Sequence, residues 1–484
     1  MSIDYVAVGP VLVAALGALA VLVVDLVAPL RTRTTATFAT ALLAAGGALA
    51  AALAIRDAPR SAFCSTAGTG APCSYTVDPT TARLLAVLAA TALVVLLLPV
   101  ALARAGQLPP GEYGFLVLCS LAGALTLAGA RDFLTFLVGL ETLTLPTYAL
   151  VALRRRDPAG AEAAVKYLLV SVTSTAVTLL GVALLYGVVG SLHFGPVAAA
   201  LELREDVRAL PLTAAAVVLV LGGLAFKVAA VPFHWWAPDV YQGAPVPVAA
   251  YLATVSKAGG VVGLVLVTTV AFGPYAQVWA PALAVLAVAS MTWGNLVALR
   301  QRHAVRLLAW SSVAHTGYLL VPLAAVGARP ELVPDAVRAT VGYLAFYLAL
   351  TAGAFACVVA AGVTEVADFR GLARRSPLVG GALAVFLLGL AGLPPALAGL
   401  VAKVVVLRTA LLGGAGWLAV AVALNTVVGL AYYLRLAAAA VADPGAPGAG
   451  RLRPAPSLVV AVGGALVVVV VLSVVPQLAL DLAR

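Results

Sequence analysis

Apolar segments of roughly 20 residues follow one another along almost the whole chain, separated by short polar breaks. A helix of that length crosses the hydrocarbon core of a bilayer, so each segment predicts a membrane span. A soluble domain could not bury this much apolar surface, because 63% of the 484 residues are hydrophobic and only 10% are charged. The pattern therefore predicts an all-α polytopic membrane protein.

The apolar segments predict about fourteen transmembrane helices. They lie near 5–29, 34–55, 79–103, 113–130, 133–152, 162–190, 210–231, 246–272, 280–299, 304–326, 337–362, 377–411, 416–440 and 455–476. No cleavable signal peptide is predicted, because Met1–Pro10 has no basic region and the first apolar run is long enough to remain in the bilayer.

Arginine is concentrated in alternate breaks between the predicted spans. These residues are Arg31, Arg33, Arg104, Arg154, Arg155, Arg156, Arg300, Arg302, Arg306, Arg370, Arg374, Arg375, Arg451 and Arg453. Basic loops remain in the cytoplasm, so both termini are predicted on the outer side of the membrane. The net charge of +10 is spread over many short loops and forms no single basic patch, so no nucleic-acid partner is expected.

Two of the predicted spans contain breaks. Pro232–Pro245, with the sequence PFHWWAPDVYQGAP, follows the seventh span and has no Lys or Arg, which favours a packed re-entrant element over a simple cytoplasmic loop. Gly392–Pro395 (GLPP) interrupts the twelfth span, where consecutive prolines prevent a continuous helix. Broken helices at bilayer depth lie inside the protein or beside hydrated cavities and often mark ion pathways.

The two breaks are five spans apart, and an odd offset reverses the direction of a span. This predicts two inverted five-helix repeats, spans 4–8 and spans 9–13, each with one broken helix. The predicted organisation is an N-terminal three-helix segment at 1–112, a first repeat at 113–272, a second repeat at 273–440, and a linker with the last helix at 441–484. Gly445–Gly450 is predicted to be a flexible part of that linker.

Ionisable residues within the spans are the candidate functional residues, because a charge at the bilayer centre costs about 3 kcal/mol or more. All four lysines, Lys166, Lys227, Lys257 and Lys403, lie in apolar stretches, and Glu141 lies in the middle of the fifth span. Burial favours a neutral lysine and a nearby carboxylate favours a charged one, so Glu141 and Lys227 could form a proton-transfer pair. The alternative is a buried ion pair that only joins helices.

Other polar residues have two interpretations. His315, in the SSVAHTGY segment of the tenth span, could relay a proton between the lysines of the eighth and twelfth spans, or be a hydrogen-bonded core histidine. Lys166 lies near the start of the sixth span and could extend to the interface without transferring protons. His234 and Asp239 could help protons enter, but capping and loop structure are the simpler roles.

The four cysteines indicate which side of the membrane one loop faces, and their spacing does not match a cofactor-binding motif. Cys64 and Cys73 share the outward loop between spans two and three, where a disulfide is plausible. Cys119 and Cys357 are separate, within apolar spans, and are predicted to be small packing residues. The chain has no CxxC pair and no GxGxxG motif after a strand, so no metal, iron–sulfur cluster or dinucleotide is expected in it.

The segment Phe226–Gly260, FKVAAVPFHWWAPDVYQGAPVPVAAYLATVSKAGG, strongly resembles one family. It is similar to subunit N of bacterial proton-pumping NADH:quinone oxidoreductase (complex I), one of three antiporter-like membrane subunits. Further matches are Glu162–Leu169 (EAAVKYLL), Arg306–Tyr318 (RLLAWSSVAHTGY) and Asp368–Lys403 (DFRGLARRSP through GLPPALAGLVAK). The resemblance covers nearly the whole chain.

The resemblance implies a proton-translocating subunit of an enzyme whose redox chemistry occurs elsewhere. Glu141, Lys227, Lys257 and Lys403 would be its proton-transfer groups, with His315 as a further candidate. NADH, FMN, iron–sulfur clusters and quinone would be bound by partner subunits, which would include an antiporter-like M-type subunit and small K-, J- and A-type subunits, within membrane lipid. A lysine at 403 fits the N type, because the M type is expected to have glutamate there.

Three other functions remain open from the sequence. The first is an Mrp-type cation/proton antiporter subunit or a related hydrogenase membrane subunit, although the DVYQGAP segment argues against the Mrp type. The second is a non-conducting scaffold, which would have no need of lysines at both helix breaks. The third is a stand-alone transporter, which would act without partners.

Overall fold

The computed structural model describes residues 3–65, 72–154, 157–327, 329–443 and 451–483 of the chain. The N-terminal half contains α1 (Gly9–Val27), α2 (Arg33–Ala54), α3 (Pro79–Leu97), α4 (Pro110–Gly129), α5 (Phe133–Val151), α6 (Pro158–Val189), α7 (Pro211–Lys227), α8 (Trp236–Gly243) and α9 (Val246–Ala271). The C-terminal half contains α10 (Ala276–Ala298), α11 (Ala304–Ala325), α12 (Val333–Ala361), α13 (Pro377–Ala391), α14 (Leu397–Leu412), α15 (Gly416–Val441) and α16 (Pro456–Val474). Further short helices and helical turns lie between these helices, at Val100–Arg104, Phe194–Leu203, Glu205–Ala209, Gly273–Tyr275, Pro330–Leu332, Val366–Phe369 and Leu372–Arg375, and after α16, at Gln477–Leu480 and Asp481–Ala483.

The predicted all-α membrane fold is confirmed. Within the described ranges, twelve helices are long and apolar enough to cross a membrane. The two predicted spans with breaks are the exceptions, since α7 has only 17 residues and the twelfth span is divided into α13 and α14. The total of about fourteen spans and the two inverted repeats stay predictions. Arg155, Arg156 and the linker at Gly445–Gly450 lie outside the described residues.

Several helices begin where their sequence provides a cap. The carboxylates of Asp78, Asp132 and Asp157 accept hydrogen bonds from backbone N–H groups in the first turns of α3, α5 and α6. His303 caps α11 through Nδ1, which accepts from the backbone N–H of Arg306. Burial lowers the pKa of His303, which keeps the ring neutral and able to accept that bond.

Both helix breaks are well-defined turns. After α7 ends at Lys227, the backbone passes through Ala229 at a φ of 57° and a cis Val231–Pro232 bond before α8 begins. The segment predicted to be re-entrant thus contains an eight-residue helix, which packs against α6 and α11. After α13, Gly392 has a φ of 87° and caps the helix, and a cis Pro394–Pro395 bond precedes α14.

The centre of the molecule is formed by α9, α11 and α12, whose residues are almost all buried. The helix α9 is π-helical at Leu252–Ser256 and again at Val267–Ala271, with α-helix before and between these turns. Lys257 is the first residue after the first π-helical turn. Such turns inside α-helices are frequent at functional sites, because they redirect the side chains that follow.

A small β-hairpin lies between α2 and α3, which the sequence did not predict. Its strands are β1 (Arg60–Cys64) and β2 (Cys73–Val77), paired antiparallel, and a disulfide joins Cys64 to Cys73. The Arg60 guanidinium binds the Asp4 carboxylate at 3.0 Å and lowers the pKa of Asp4. The hairpin is therefore fixed both to itself and to the N-terminal segment.

The hairpin is docked on α4 through the ring of Tyr75, which leaves no room for a side chain at Gly129. A Cβ atom at Gly129 would lie 2.3 Å from that ring. We expect Gly129→Ala to destabilise the protein by about 1–3 kcal/mol, as overpacking does, and to lower the thermal unfolding midpoint of the purified protein. Gly187→Ala in α6 is the control, because open space surrounds Gly187; equal losses in both variants would contradict the prediction.

Candidate functional site

The sequence-predicted ionisable residues lie along the middle of the helix core. We call Glu141, Lys227, Lys257, His315 and Lys403 the central row. Both lysines at the helix breaks, the lysine of α9 and the histidine of α11 are buried, and only Glu141 is partly exposed, with 26% of its side chain accessible. Burying charge in this way is expensive unless hydrogen bonds or opposite charges stabilise it.

Glu141 and Lys227 form the ion pair that the sequence predicted. Lys227 Nζ lies 3.3 Å from Glu141 Oε1, and the same oxygen accepts a hydrogen bond from Thr175 at 2.6 Å. Lys227 Nζ also donates to the Ser171 hydroxyl at 2.8 Å, which in turn accepts from Tyr148 at 2.5 Å. Because each charge has a second, neutral partner, each can keep a hydrogen bond when the ion pair separates.

The break after α7 is connected directly to Lys257. The carbonyl of Val228, the residue after Lys227, accepts a hydrogen bond from the Thr316 hydroxyl at 2.6 Å. The same hydroxyl accepts from Lys257 Nζ at 2.8 Å. Thr316 of α11 therefore joins the first broken helix to the lysine of α9.

Lys257 has only neutral partners. Its Nζ donates to the backbone carbonyl of Ser312 at 2.5 Å and lies 5.7 Å from the ring centre of Tyr347. No ion pair of Lys257 or Lys403 occurs in the part of the chain that the structure describes. A carbonyl accepts a hydrogen bond from a charged or a neutral amine, and more strongly from the charged one, so these contacts persist in a lysine that gains and loses a proton.

His315 is held between two tyrosines. Its Nδ1 is 2.8 Å from the Tyr343 hydroxyl and its Nε2 is 2.9 Å from the Tyr433 hydroxyl. The Tyr433 hydroxyl also bonds to Ser311. Since a phenol hydroxyl can donate or accept, both tautomers of the ring can be satisfied.

Lys403 points back at the break in its own span. Its Nζ donates to the carbonyl of Ala391, the last residue of α13, at 2.6 Å, and lies 5.4 Å from the ring centre of Tyr318. A cavity of about 10 Å³ separates Lys403 from His315, with Tyr343, Tyr347 and backbone of α13 and α14 in its wall. That volume is at the lower limit for a single water molecule.

Lys166 is not part of the central row. It is half exposed near the start of α6, where its Nζ contacts Glu162 at 2.7 Å and Asp239 at 3.5 Å. Asp239 also binds Arg306 at 2.8 Å. This surface ion-pair cluster favours anchoring of Lys166, and it gives Asp239 a structural partner on α11. His234 is buried against Trp310 in the break between α7 and α8.

Sequence reasoning missed the neutral residues that connect the central row. Four polar side chains of α11 recur at the spacing of one helix face. They are Ser311, Ser312, His315 and Thr316. This spacing in an otherwise apolar span was the available signal. In a second polar cluster, Asn295 of α10 binds Tyr318 of α11 and both Asn425 and Tyr432 of α15. The contacts with α15 join residues at least 130 positions apart and could not be anticipated from the sequence.

The side chains of the central row are suited to proton transfer. It contains lysine amines and an imidazole that hydrogen-bond to hydroxyl groups, with a carboxylate at one end. Within the described ranges, no group of three or more His, Cys, Asp or Glu residues could hold a metal ion.

Comparison with known sequences identifies clear relatives. A family model described as NADH:quinone oxidoreductase/Mrp antiporter, TM, matches residues 130–429. A protein of Streptomyces griseus named NADH-quinone oxidoreductase subunit N 2 is 47% identical over 468 residues, covering 94% of this chain and 86% of the relative. The NADH-quinone oxidoreductase subunit N of Salinispora tropica is 50% identical over 447 residues, covering 90% and 85%.

Solved structures agree with these relatives. A chain of respiratory complex I from Thermus thermophilus, with bound aureothin, has a TM-score of 0.80 and 34% identity over 98% of both chains. A chain of the Mrp complex from a Dietzia species has a TM-score of 0.85, with 99% of this chain and 96% of that chain covered. The latter is only 24% identical, so it shows a shared fold and no more.

Proposed function

Because the chain belongs to the family of NADH-quinone oxidoreductase subunit N, an antiporter-like membrane subunit of complex I, we propose that its central row is the route by which it moves protons. The observation that carries this proposal is the Glu141–Lys227 ion pair, followed by two further buried lysines with only neutral partners. A purely structural role could explain the Glu141–Lys227 ion pair, but it does not explain why Lys257 and Lys403 are buried without an opposite charge.

Each member of the central row has a distinct role. Glu141 controls Lys227, because the nearby carboxylate favours the charged amine and its withdrawal favours proton release. The proton then passes laterally to Lys257, and through His315 towards Lys403, which delivers it to the outer side. Neighbouring titrations in such a row are coupled, so protonation of one member lowers or raises the affinity of its neighbours for a proton.

The proposal includes the orientation of the chain in the membrane. The chain lies in the bacterial cell (inner) membrane with both termini outside, and the units 113–272 and 273–440 are inverted repeats that each supply one broken helix. The grouping of arginines at one end of the molecule supports this orientation. Arg33 and Arg154, from two separate arginine-rich loops, line one cavity. Arg435 binds the carbonyl of Leu299 beside a third such loop.

Partner subunits provide the energy for this movement. NADH, FMN, iron–sulfur clusters and quinone act in those subunits, and quinone reduction there drives the change at Glu141. An M-type subunit and small K-, J- and A-type subunits are the neighbours in the membrane. Glu141 supports such contacts, because a partly exposed carboxylate on a membrane helix needs a covering partner.

The function is tested with the purified complex in liposomes. Added NADH does not cross the bilayer and reaches only complexes whose NADH site faces outward, so it should acidify the lumen, with no requirement for sodium. The chain reconstituted alone should exchange neither protons nor sodium when a gradient is imposed. Sodium–proton exchange by the lone chain would support the Mrp-type alternative, and would contradict the proposal.

The role of His315 has its own test. Replacing it with methionine should slow proton translocation by at least about 10-fold, since a positioned acid–base group contributes that much or more. The measurement is the initial rate of NADH-driven dye quenching in liposomes, in H₂O and D₂O. Tyr343→Phe is the control, because it removes one hydrogen bond of His315 and leaves the imidazole in place. A His315→Met complex that pumps normally would show that the ring is only a core residue.

A further inference from the structure

A cavity of about 540 Å³ lies between the α10–α11 loop, the segment that follows α12 and the C-terminal end of α15, and no residue of the central row lines it. Three guanidinium groups line it, those of Arg302, Arg370 and Arg435, together with the carboxylate of Glu365. Ala438 and Ala442 form its wall on α15. The lining therefore has an excess of positive charge beside small apolar side chains.

Among the described residues, no carboxylate forms an ion pair with any of these three arginines. Arg435 donates to the backbone carbonyls of Leu299 and Gln301, and Arg370 donates through Nε to the carbonyl of Asp443. Arg302 has no side-chain hydrogen bond or ion pair among the described residues. The residues outside the described ranges include no Asp or Glu, so none of their side chains can supply the missing negative charge.

These contacts leave the cavity prepared for an anion. Neutral carbonyls hold Arg435 and Arg370 in place without cancelling their charge, so little conformational entropy is lost when a ligand binds. Planar guanidinium groups bind the oxygens of a phosphate in a bidentate way. The chemistry fits one phosphate group, with Glu365 left at the rim for a hydroxyl group or an amine.

An exposed apolar stripe continues from this cavity along α15 towards the other side of the membrane. Its large members recur at intervals of three, four or seven residues, which places them on one helix face. They are Trp417, Val420, Leu424, Val427, Leu434 and Val441. Since Ala438 belongs both to the cavity wall and to this face, a molecule with a charged head and a long apolar chain can occupy both.

We propose that this cavity is a binding site for an anionic phospholipid, whose phosphate contacts Arg302, Arg370 and Arg435 and whose acyl chain lies along α15. Basic pockets between helices at the membrane interface recognise such headgroups. A soluble phosphate would match the charge but would leave the apolar stripe uncovered.

The site is tested in the intact complex with a photoreactive phosphatidylglycerol that carries a diazirine in its acyl chain. After ultraviolet exposure, peptide mass spectrometry measures crosslinking to α15. Each lost arginine should weaken lipid binding about 5-fold, so Arg302→Gln should reduce the yield at limiting lipid about 5-fold and Arg302→Gln with Arg370→Gln about 25-fold. Arg435 is left unchanged, because it also binds the carbonyl groups at the end of α10.

Matched variants separate this site from general attraction to the membrane. Arg302→Lys keeps the charge but loses the bidentate geometry, so it should retain only part of the crosslinking. Arg31→Gln, which removes an exposed charge outside the cavity, should leave the crosslinking unchanged. Equal labelling by a photoreactive phosphatidylcholine, or full competition by glycerol 3-phosphate, would overturn the proposal. So would glutamine variants that label normally but lose a neighbouring subunit on purification, which would assign the cavity to a partner protein.

Discussion

Replacing Lys227 with methionine should abolish most proton translocation by this chain while the complex still assembles. Methionine has a similar length and fills the same space, so the packing around the end of α7 should be kept. It cannot carry a proton, and the Glu141 carboxylate loses the group that it controls. Glu141 keeps its bond from Thr175 and is partly exposed, so the unpaired carboxylate should not unfold the site.

The measurement is the number of protons moved per electron in liposomes, with NADH oxidation recorded in the same sample. We expect the proton-to-electron ratio to fall by most of the protons that this subunit contributes. Lys166→Met is the matched control, because Lys166 is half exposed in a surface ion-pair cluster and should be dispensable for the ratio. An unchanged ratio in the Lys227→Met complex would refute the proton route through the central row.

The parts of this structure that depend on local chemistry were visible in the sequence. Apolar length alone located the membrane helices, because a bilayer sets the same requirement for every span. Pro232 and the two prolines of Gly392–Pro395 indicated where both helices break, because proline removes a backbone hydrogen-bond donor. Glu141 and Lys227 stood out for the same reason, as charges that an apolar environment makes costly.

The parts that depend on tertiary packing were not visible. Tyr343 and Tyr433 are distant in sequence from His315, and tyrosine is common enough in membrane helices to give no signal of its own. Thr316 seemed ordinary until the fold brought Val228 and Lys257 to its hydroxyl. The hairpin β1–β2 was hidden in a short loop, where its five-residue strands give too little pattern to recognise.

Lys403 offers the sharpest distinction between a fixed charge and a titratable one. Lys403→Met should reduce the proton-to-electron ratio as strongly as Lys227→Met, because both lie at the helix breaks of the same route. Lys403→Arg is the informative variant. Arginine keeps the positive charge but does not release its proton in proteins, so the route should remain blocked although the electrostatics are largely kept.

Sterics could also disable an arginine, since the cavity beside Lys403 measures only about 10 Å³. The thermal stability of both variants must therefore be measured with the proton ratio. Arg408→Met, an exposed position on the same helix, is the control for loss of a cation from α14. If Lys403→Arg folds with normal stability and still pumps, a fixed charge is sufficient there, and Lys403 is not a proton carrier. If it folds and does not pump, the need for a residue that can lose its proton explains why lysine, and not arginine, lies at both helix breaks.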